Sequence, residues 1–337
     1  MNRSVIRSPR LRPAPWTALC FAVWFGLAFA ISADRVVAQS WPSRTITAVV
    51  PFGPGTSIEA VGRPMLEQLS RLLGQPIVIE NRPGAGGVTG AAAVARAEPD
   101  GHTILMFSST LSILHAIHPN RPYDTLRDFI PVTTIGIQPN VLVSAAAKGY
   151  KSVADLVAAA KANPGATNYA SIGSGSAPHV AAERFRLAAG IEAQNVPFRG
   201  PPEALTETMM GRIDFYYVPL GSGLPLIRDG KLSALAVSTA QRATALPDIP
   251  TTIELGFKDS AFDLWLGILL PAKTPDAIVQ RLYAETQRAL DDPSVRQRFD
   301  ALAVEQLRMT PAEFASYLAK DIEVITALTQ KAGIRAN

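Results

Sequence analysis

VVPFGPGTSIEAVGR, Val49 to Arg63, decides how the rest of the chain is read. An apolar run ends in a loop of Pro, Gly, Thr and Ser, and a helical pattern begins at once. TITAVV (Thr45–Val50) is a short β-branched run and reads as a buried strand. Thr56 or Ser57 can cap the helix that follows. Val61, Met65, Leu69 and Leu72 recur every three or four residues, which gives that helix one buried face. Gly74 ends it, and PIVIEN (Pro76–Asn81) is the next strand. The loop begins as a nucleotide-binding loop does. A G-x-x-x-x-G-K-S/T phosphate loop needs a Lys, however, and none stands near Gly53 or Gly55.

The same rhythm runs through the chain. RPGAGG (Arg82–Gly87) is a second glycine loop, leading into the Ala-rich segment Val88–Ala97. TILMFSS (Thr103–Ser109), Val132–Gln138 and Val141–Ser144 read as strands. SVADLVAAAKANPG reads as a complete helix: Ser152 caps it, Asp155 answers at the third helical position, and Asn163-Pro164-Gly165 stops it. NYASIGSGSAPHVAAERFRLA is strand, Gly/Ser loop and helix. QNVPFRGPPEALTETMMG is a short strand, a turn and a helix. RIDFYYV is a strand followed by a loop, LSALAVS is a strand, and FDLWLGILLP (Phe262–Pro271) is another buried strand. Thr274-Pro275, Asp292-Pro293 and Thr310-Pro311 each place a cap residue before a proline at a helix start, and Glu313 completes a capping box with Thr310. The last helix covers about Pro311 to Lys331. Strand–helix alternation of this kind specifies open α/β sheets with helices on both faces. No internal repeat is visible in the sequence. Two such domains side by side form a cleft at the carboxyl ends of their strands, where open α/β sheets bind ligands.

The first residues fix the compartment. MNRSVIRSPRLRP is basic without an acid, an apolar stretch of about 16 residues follows from Trp16 to Ile31, and Val36 and Ala38 stand at the −3 and −1 positions of a small-residue cleavage site. The apolar run is shorter than the roughly 20 residues that span a bilayer. Residues 1–38 are therefore read as a cleaved secretory signal peptide. They hold five Arg and one Asp while the whole chain is +4, so the remainder is near neutral and no basic surface is left to argue for nucleic acid. Cys20, the only cysteine, lies in the signal segment, so the mature chain has no disulfide, thiol nucleophile or cysteine metal site.

Catalytic constellations do not assemble. GAGGVTG (Gly84–Gly90) misses the dinucleotide spacing, because Thr89 stands three after Gly86 and Gly90 comes one too late. SIGSGSAPH (Ser171–His179) invites a serine-hydrolase reading, but neither Ser is flanked as in G-x-S-x-G. Only four His are present: His102, His115, His118 and His179. His115 and His118 lack nearby acids for a metal site, and His179 starts a helix, where it is more readily a hydrogen-bonding or capping residue than a base. What remains is a group of loops, GPGTS, RPGAGG, FSST and GSGSAPH, each following a strand and preceding a helix. Such loops aim unpaired backbone N–H groups and a positive helix end at one point. Thr56, Ser57, Ser108, Ser109, Ser174 and Ser176 add hydroxyls. That is a site for a small anion such as a carboxylate, without need of Lys or Arg.

The chain resembles the Bug-type, TctC-like extracytoplasmic solute receptors of the tripartite tricarboxylate transporter family. The resemblance begins at WPSRTITAVVPFGPG and runs through GQPIVIENRPGAGGVTGAAAVARAEPDGHTIL, DFIPVT, SIGSGSAPHVAAERF, VPFRGPPEALTETMMGRIDF, IRDGKLSALAVSTAQRATALPDIPT and LLPAKTPDAIVQRL, in the family's order. It implies a periplasmic-binding-protein-like fold of type II, with two α/β domains, a hinge and a central cleft that closes on the ligand. The implied domains are 39–140 with 263–337, and 141–262, with closure about strands near Ile135–Val143 and Phe262–Leu269. It implies a periplasmic, monomeric receptor that hands a small organic acid to membrane transporter subunits, with no cofactor, metal or nucleic acid. The loops matching Phe52–Ser57 and Gly173–His179 face each other in the family and grip a carboxylate largely by backbone N–H groups and waters. This carries to Phe52, Gly53, Gly55, Thr56, Ser57, Gly173, Ser174 and Ser176, with Ser108 and Ser109 on a third loop, and to His179 and Val218 as further ligand-binding positions.

Two departures stand out against the family pattern. The first loop usually reads G-G-x-x-D, whereas here it is Gly55-Thr56-Ser57-Ile58-Glu59. After RIDFYYV many members carry Asp-Asn, whereas Val218-Pro219 stand here, which removes an acid suited to a ligand amine. The alternatives are an exported serine hydrolase using Ser57 or Ser174, and a ligand-binding partner of a membrane sensor.

Overall fold

The structure is a computed structural model that describes residues 41–335. The signal segment, its cleavage after Ala38 and Cys20 lie outside the described residues.

Two five-stranded sheets form the frame. The first has the order β2-β1-β3-β10-β4, built from β1 (Ile46–Val50), β2 (Ile77–Asn81), β3 (Thr103–Ser108), β4 (Phe129–Gln138) and β10 (Leu264–Pro271). The second has the order β7-β6-β8-β5-β9, from β5 (Asn140–Ala145), β6 (Asn168–Ser171), β7 (Gln194–Pro197), β8 (Phe215–Pro219) and β9 (Leu232–Val237). β1 runs parallel to β2 and β3, and β6 runs parallel to β7 and β8. In each sheet the fourth strand is antiparallel to its neighbours: β10 in the first and β5 in the second. The two sheets thus share one topology, a repeat that the sequence hides. The antiparallel strand is in both cases the one arriving from the other sheet. β4 leads through Pro139 into β5, and Phe262 leads into β10. The crossings lie together, because Leu264 pairs with Gln138, Ser238 donates its N–H to Asn140 C=O at 2.8 Å, and Phe262 donates to Ser238 C=O at 2.8 Å.

Helices cover both faces of each sheet. α1 (Ser57–Leu73) buries Val61, Met65 and Leu69 against β1 and β3 and ends at Gly74, whose φ of 70° is the left-handed cap conformation that glycine adopts without steric cost. α2 (Val88–Ala95), α3 (Thr110–Ile117) and α10 (Pro311–Ala332) cover the opposite face around Trp265, Phe107 and Phe314. α8 (Asp276–Asp291) and α9 (Pro293–Ala301) join α1. In the second lobe, α4 (Val153–Ala162) and α5 (Ala177–Ala189) pack on one face and α6 (Pro201–Met209) and α7 (Leu220–Arg228) on the other. Ile113 and Ile117 of α3 and Ile325 of α10 enter the second lobe's core beside Phe185 and Tyr217. The lobes are therefore joined by apolar packing as well as by the two chain crossings.

Local signals set the helix ends. The capping boxes Ser152/Asp155 and Thr310/Glu313 are both formed, and Asp292 caps α9. Two readings need correction. Thr274 does not cap α8: Pro275 occupies the cap and Thr274 Oγ1 donates to Pro271 C=O at 2.8 Å. The segment after β8, read as a loop, is helix α7 from Leu220 onward, with Pro225 inside it. Its Gly221, Gly223 and Pro225 hide the helical pattern. Gly223 is needed for close packing, since a Cβ there would stand 2.7 Å from Val218 Cγ1.

Candidate functional site

The carboxyl ends of the strands present their loops to one cavity of about 640 Å3. The first turns of five helices reach it, through Ser57 of α1, Thr110 of α3, Ala177 of α5, Pro201 of α6 and Ser222 of α7. Helix starts carry N–H groups without intrahelical acceptors and the positive end of the helix dipole. In α1 the first helical bond runs from Ala60 N–H to Thr56 C=O at 2.9 Å, which leaves the N–H groups of Ser57, Ile58 and Glu59 without helical acceptors. In α5 the first is Val180 to Ser176 at 2.9 Å, which leaves those of Ala177 and His179.

The residues before both helices keep their hydroxyls unengaged. Thr56 and Ser176 are the N-cap residues of α1 and α5, yet neither side chain caps its helix. Thr56 Oγ1 and Ser176 Oγ are buried without any hydrogen-bond partner. Buried polar atoms are nearly always paired, so two orphaned hydroxyls on one cavity wall mark a place where a ligand completes the hydrogen bonding. Two hydroxyls of the neighbouring loop positions are engaged. Ser108 Oγ accepts Thr110 N–H at 3.3 Å and donates to Thr110 Oγ1 at 3.1 Å, and Ser174 Oγ donates to Arg335 C=O at 2.7 Å.

Of the positions singled out in the sequence, Phe52, Gly55, Thr56, Ser57, Ser108, Ser174 and Ser176 line this cavity. Gly53 and Gly173 belong to the same two loops but not to the lining. Ser109 is fully buried; its N–H donates to Trp265 C=O at 3.0 Å, tying the third loop to β10. Val218 is fully buried in the second lobe's core, and its neighbour Pro219 forms the wall instead. His179 is buried, stacks on Tyr169 with ring centres 6.1 Å apart, and accepts Gly175 N–H on Nδ1 at 3.0 Å. It fixes the shape of the Gly/Ser loop from behind. Burial holds its pKa below the ordinary value, with Glu183 opposing and Arg186 reinforcing the shift.

Glu59 also works from behind. Its carboxylate accepts Gly55 N–H at 3.1 Å and Asn81 Nδ2 at 3.2 Å and pairs with Arg63, while Asn81 Nδ2 also donates to Phe52 C=O at 3.0 Å. Its pKa is lowered mainly by the Arg63 hydrogen bond, against the opposing effect of burial.

Sequence reasoning missed the rest of the wall. His118, Pro201, Pro202, Pro219 and Ser222 line it, as do Leu114, Ile117, Leu264 and Leu266. The prolines stand at helix starts after glycine loops or strands, which was the one signal available. His118 is held below its usual pKa by burial first and by Arg121 second, so it is neutral at pH 7. The lining contains no Asp, Glu, Lys or Arg. Among the described residues, no serine hydroxyl is hydrogen-bonded to a histidine ring, and no group of three His, Cys, Asp or Glu is arranged to hold a metal ion.

Two α/β lobes with a cavity at facing helix starts define a solute-binding protein of the periplasmic type. Residues 61–334 match the family described as Tripartite tricarboxylate transporter family receptor. The chain is 34% identical to the UPF0065 protein in the tcbD-tcbE intergenic region of Pseudomonas sp. (strain P51), over 93% of this chain and 94% of that one. It is 32% identical to protein BugT of Bordetella pertussis (strain Tohama I / ATCC BAA-589 / NCTC 13251), over 95% and 98%. Among solved structures, MatC of Rhodopseudomonas palustris with bound malate is similar at 30% identity and a TM-score of 0.75, covering 86% of this chain and 99% of that one. An R. palustris protein solved with adipate is similar at 29% identity and a TM-score of 0.78, covering 88% and 99%. The chain belongs to the tripartite tricarboxylate transporter receptor family. It is a periplasmic receptor and not an enzyme, which removes the exported-hydrolase alternative.

Proposed function

We propose that this receptor captures a small carboxylate-containing metabolite in the periplasm and delivers it to the membrane subunits of a tripartite tricarboxylate-type transporter. The observation that carries the reading is the pair of buried, partnerless hydroxyls, Thr56 Oγ1 and Ser176 Oγ, at the starts of two helices on one cavity. A carboxylate accepts from both hydroxyls and from the free N–H groups behind them, and charge-assisted hydrogen bonds of this kind are short and strong. No cation is needed, because the two helix ends supply positive potential. The relatives solved with malate and adipate support the ligand class.

In this reading Phe52, Gly55, Thr56 and Ser57 form one half of the grip and Ser174 and Ser176 the other, with Ser108 beside them. Gly173, whose φ is +111°, lets its loop bend, Gly53 belongs to the first loop, and Ser109, His179 and Val218 support the loops from within the lobes. The domains are 39–140 with 263–337, and 141–262. They close about the adjacent crossings at Pro139 and Phe262, excluding water and strengthening the hydrogen bonds. The mature chain begins after Ala38 and acts as a monomer. Affinity is micromolar or tighter, roughly −8 kcal/mol or better.

A thermal-shift screen of the mature protein against organic acids, sugars, amines and cations tests the reading. A saturating ligand at a hundredfold excess over Kd adds about 2.7 kcal/mol of stability. Stabilisation by carboxylates is expected; stabilisation by sugars or cations alone would overturn the assignment.

A further inference from the structure

The Gly/Ser loop of the second lobe is tied to a distant part of the chain. Gly175 N–H donates to His179 Nδ1 at 3.0 Å, Ser176 N–H to Gly173 C=O at 3.2 Å and Gly173 N–H to Ser171 Oγ at 3.4 Å, all within four residues. Among the described residues, the exception is Ser174 Oγ, which donates to Arg335 C=O at 2.7 Å, 161 positions along the chain. Ser174 also lines the ligand cavity. Its partner belongs to the turn that follows α10.

α10 starts in one lobe and ends in the other. Phe314, Leu318 and Ile322 pack around Trp265 in the first lobe, and Ile325 packs beside Phe185 and Tyr217 in the second. The turn after it is set by its own sequence. Gly333 takes a φ of 68°, its N–H donates to Gln330 C=O at 3.3 Å, and Ile334 N–H donates to Thr329 C=O at 2.9 Å. That is the Schellman arrangement, in which the residue after the glycine turns an apolar side chain back onto the helix. Ile334 is buried in the same core as Ile325 and Phe185. Its burial sets where Arg335 C=O stands, and that carbonyl in turn holds Ser174.

The turn has space on both sides. A cavity of about 690 Å3 opens beside His118 and Arg121, and another of about 370 Å3 beside His179 and Arg186. Gly333, Ile334 and Arg335 line both. A segment bordered by space and held by one buried side chain opens at lower cost than a strand of the core. His118 and Ser174 each line one of these spaces and the ligand cavity as well, so the turn lies one residue behind the ligand wall.

We propose that the turn Gly333–Arg335 is a positioning element of the ligand site. Anchored by Ile334, it holds Ser174 and the Gly/Ser loop in the arrangement that meets the ligand, and its release loosens the loop and weakens binding. This rests on the reading of that loop as one half of the carboxylate grip and adds the element that governs it.

Hydrogen–deuterium exchange of the ligand-free mature protein, read by mass spectrometry, compares the native chain with Ile334→Ser, Ile334→Val and a chain ending at Gly333. In Ile334→Ser and the shortened chain, the amides of segment 172–180 exchange at least about tenfold faster while those of β1 keep their native rate. Ile334→Val stays close to native, because it keeps a buried apolar side chain. Unchanged exchange in 172–180 overturns the inference, and so does a rise shared equally by β1, which marks a global loss of stability. Calorimetric titration of the same proteins with malate and adipate follows binding. Affinity about fivefold or more weaker in the two loosened proteins is expected, and native affinity in a protein whose loop has loosened also overturns the inference. Failure of the native chain to bind malate, adipate or any other carboxylate removes the carboxylate reading instead, while the exchange rates still decide whether the turn holds the loop.

Discussion

The carboxylate of Glu59 accepts the backbone N–H of Gly55 at 3.1 Å, and through that bond a helix holds the loop that precedes it. Asn81 on β2 and Arg63 one turn along α1 complete the bracket. Glu59→Gln keeps the shape but weakens the ion pair and the accepted N–H, so binding of any ligand to this loop falls and the protein loses stability. The folded-state pKa of Glu59 lies below its ordinary 4.5, so its contribution is present above about that pH and is lost as the pH falls through the folded value. Urea unfolding of both proteins from neutral pH to pH 3 should show the difference between them shrink below about pH 4.5; a difference that grows there would contradict the bracket.

Thr56→Val and Ser176→Ala remove hydroxyls that cap nothing. A cap hydroxyl normally contributes about 1 kcal/mol to its helix, but these two side chains make no cap bond. Thermal midpoints should therefore hold or rise slightly, while carboxylate affinity drops. A hydrogen bond to a charged group contributes about 1.5–3 kcal/mol, or roughly tenfold or more in Kd. Calorimetry and thermal unfolding on the same samples separate the two effects. A fall in stability without a fall in affinity would return both residues to ordinary capping.

Gly175 touches the opposite lobe. Its φ is +71°, and a Cβ there would run into Ile117 of α3, with Ile113 Cγ2 at 3.4 Å. Gly175→Ala strains the loop by about 1 kcal/mol or more and wedges it from α3. Ligand affinity should fall, and small-angle scattering of the unliganded protein should report a larger radius of gyration. An unchanged radius and Kd would show that the lobes do not depend on this approach.

Histidines set a second pH response. Burial is the leading cause that lowers the pKa of His115, His118 and His179. A histidine with a depressed folded pKa binds fewer protons folded than unfolded, so stability is present above about pH 6.5 and is lost as the pH falls below it. His179 adds a structural reason, because protonating Nδ1 removes the acceptor of Gly175 N–H. The thermal midpoint should decline from pH 6.5 towards pH 5, less steeply in His179→Gln. A midpoint that rises over that interval would contradict the burial of these rings.

Local rules were the legible part. β1, α1 and the capping boxes of α4 and α10 depend on neighbours in sequence, and Thr56, Ser57, Ser174 and Ser176 stood out because glycine loops between a strand and a helix have few other uses. α7 escaped because Gly221, Gly223 and Pro225 weaken its pattern, while packing against Val218 and Val141 decides the matter. The shared topology of the two sheets escaped because ITAVV and NYAS fill equivalent places with different side chains. Glu59 braces the loop from behind, so its effect on the cavity is indirect. Whether a residue lines a cavity or supports it from behind depends on contacts across the fold, such as His179 to Gly175, and spacing does not encode those.

A crystal structure of the mature protein with a bound carboxylate tests the central claim most directly. The expected result is a carboxylate within hydrogen-bond distance of Thr56 Oγ1, Ser176 Oγ and the first N–H groups of α1 and α5, with no Lys or Arg side chain in contact. A carboxylate paired to an arginine or lysine outside this cavity, with both hydroxyls still unpartnered, would contradict it.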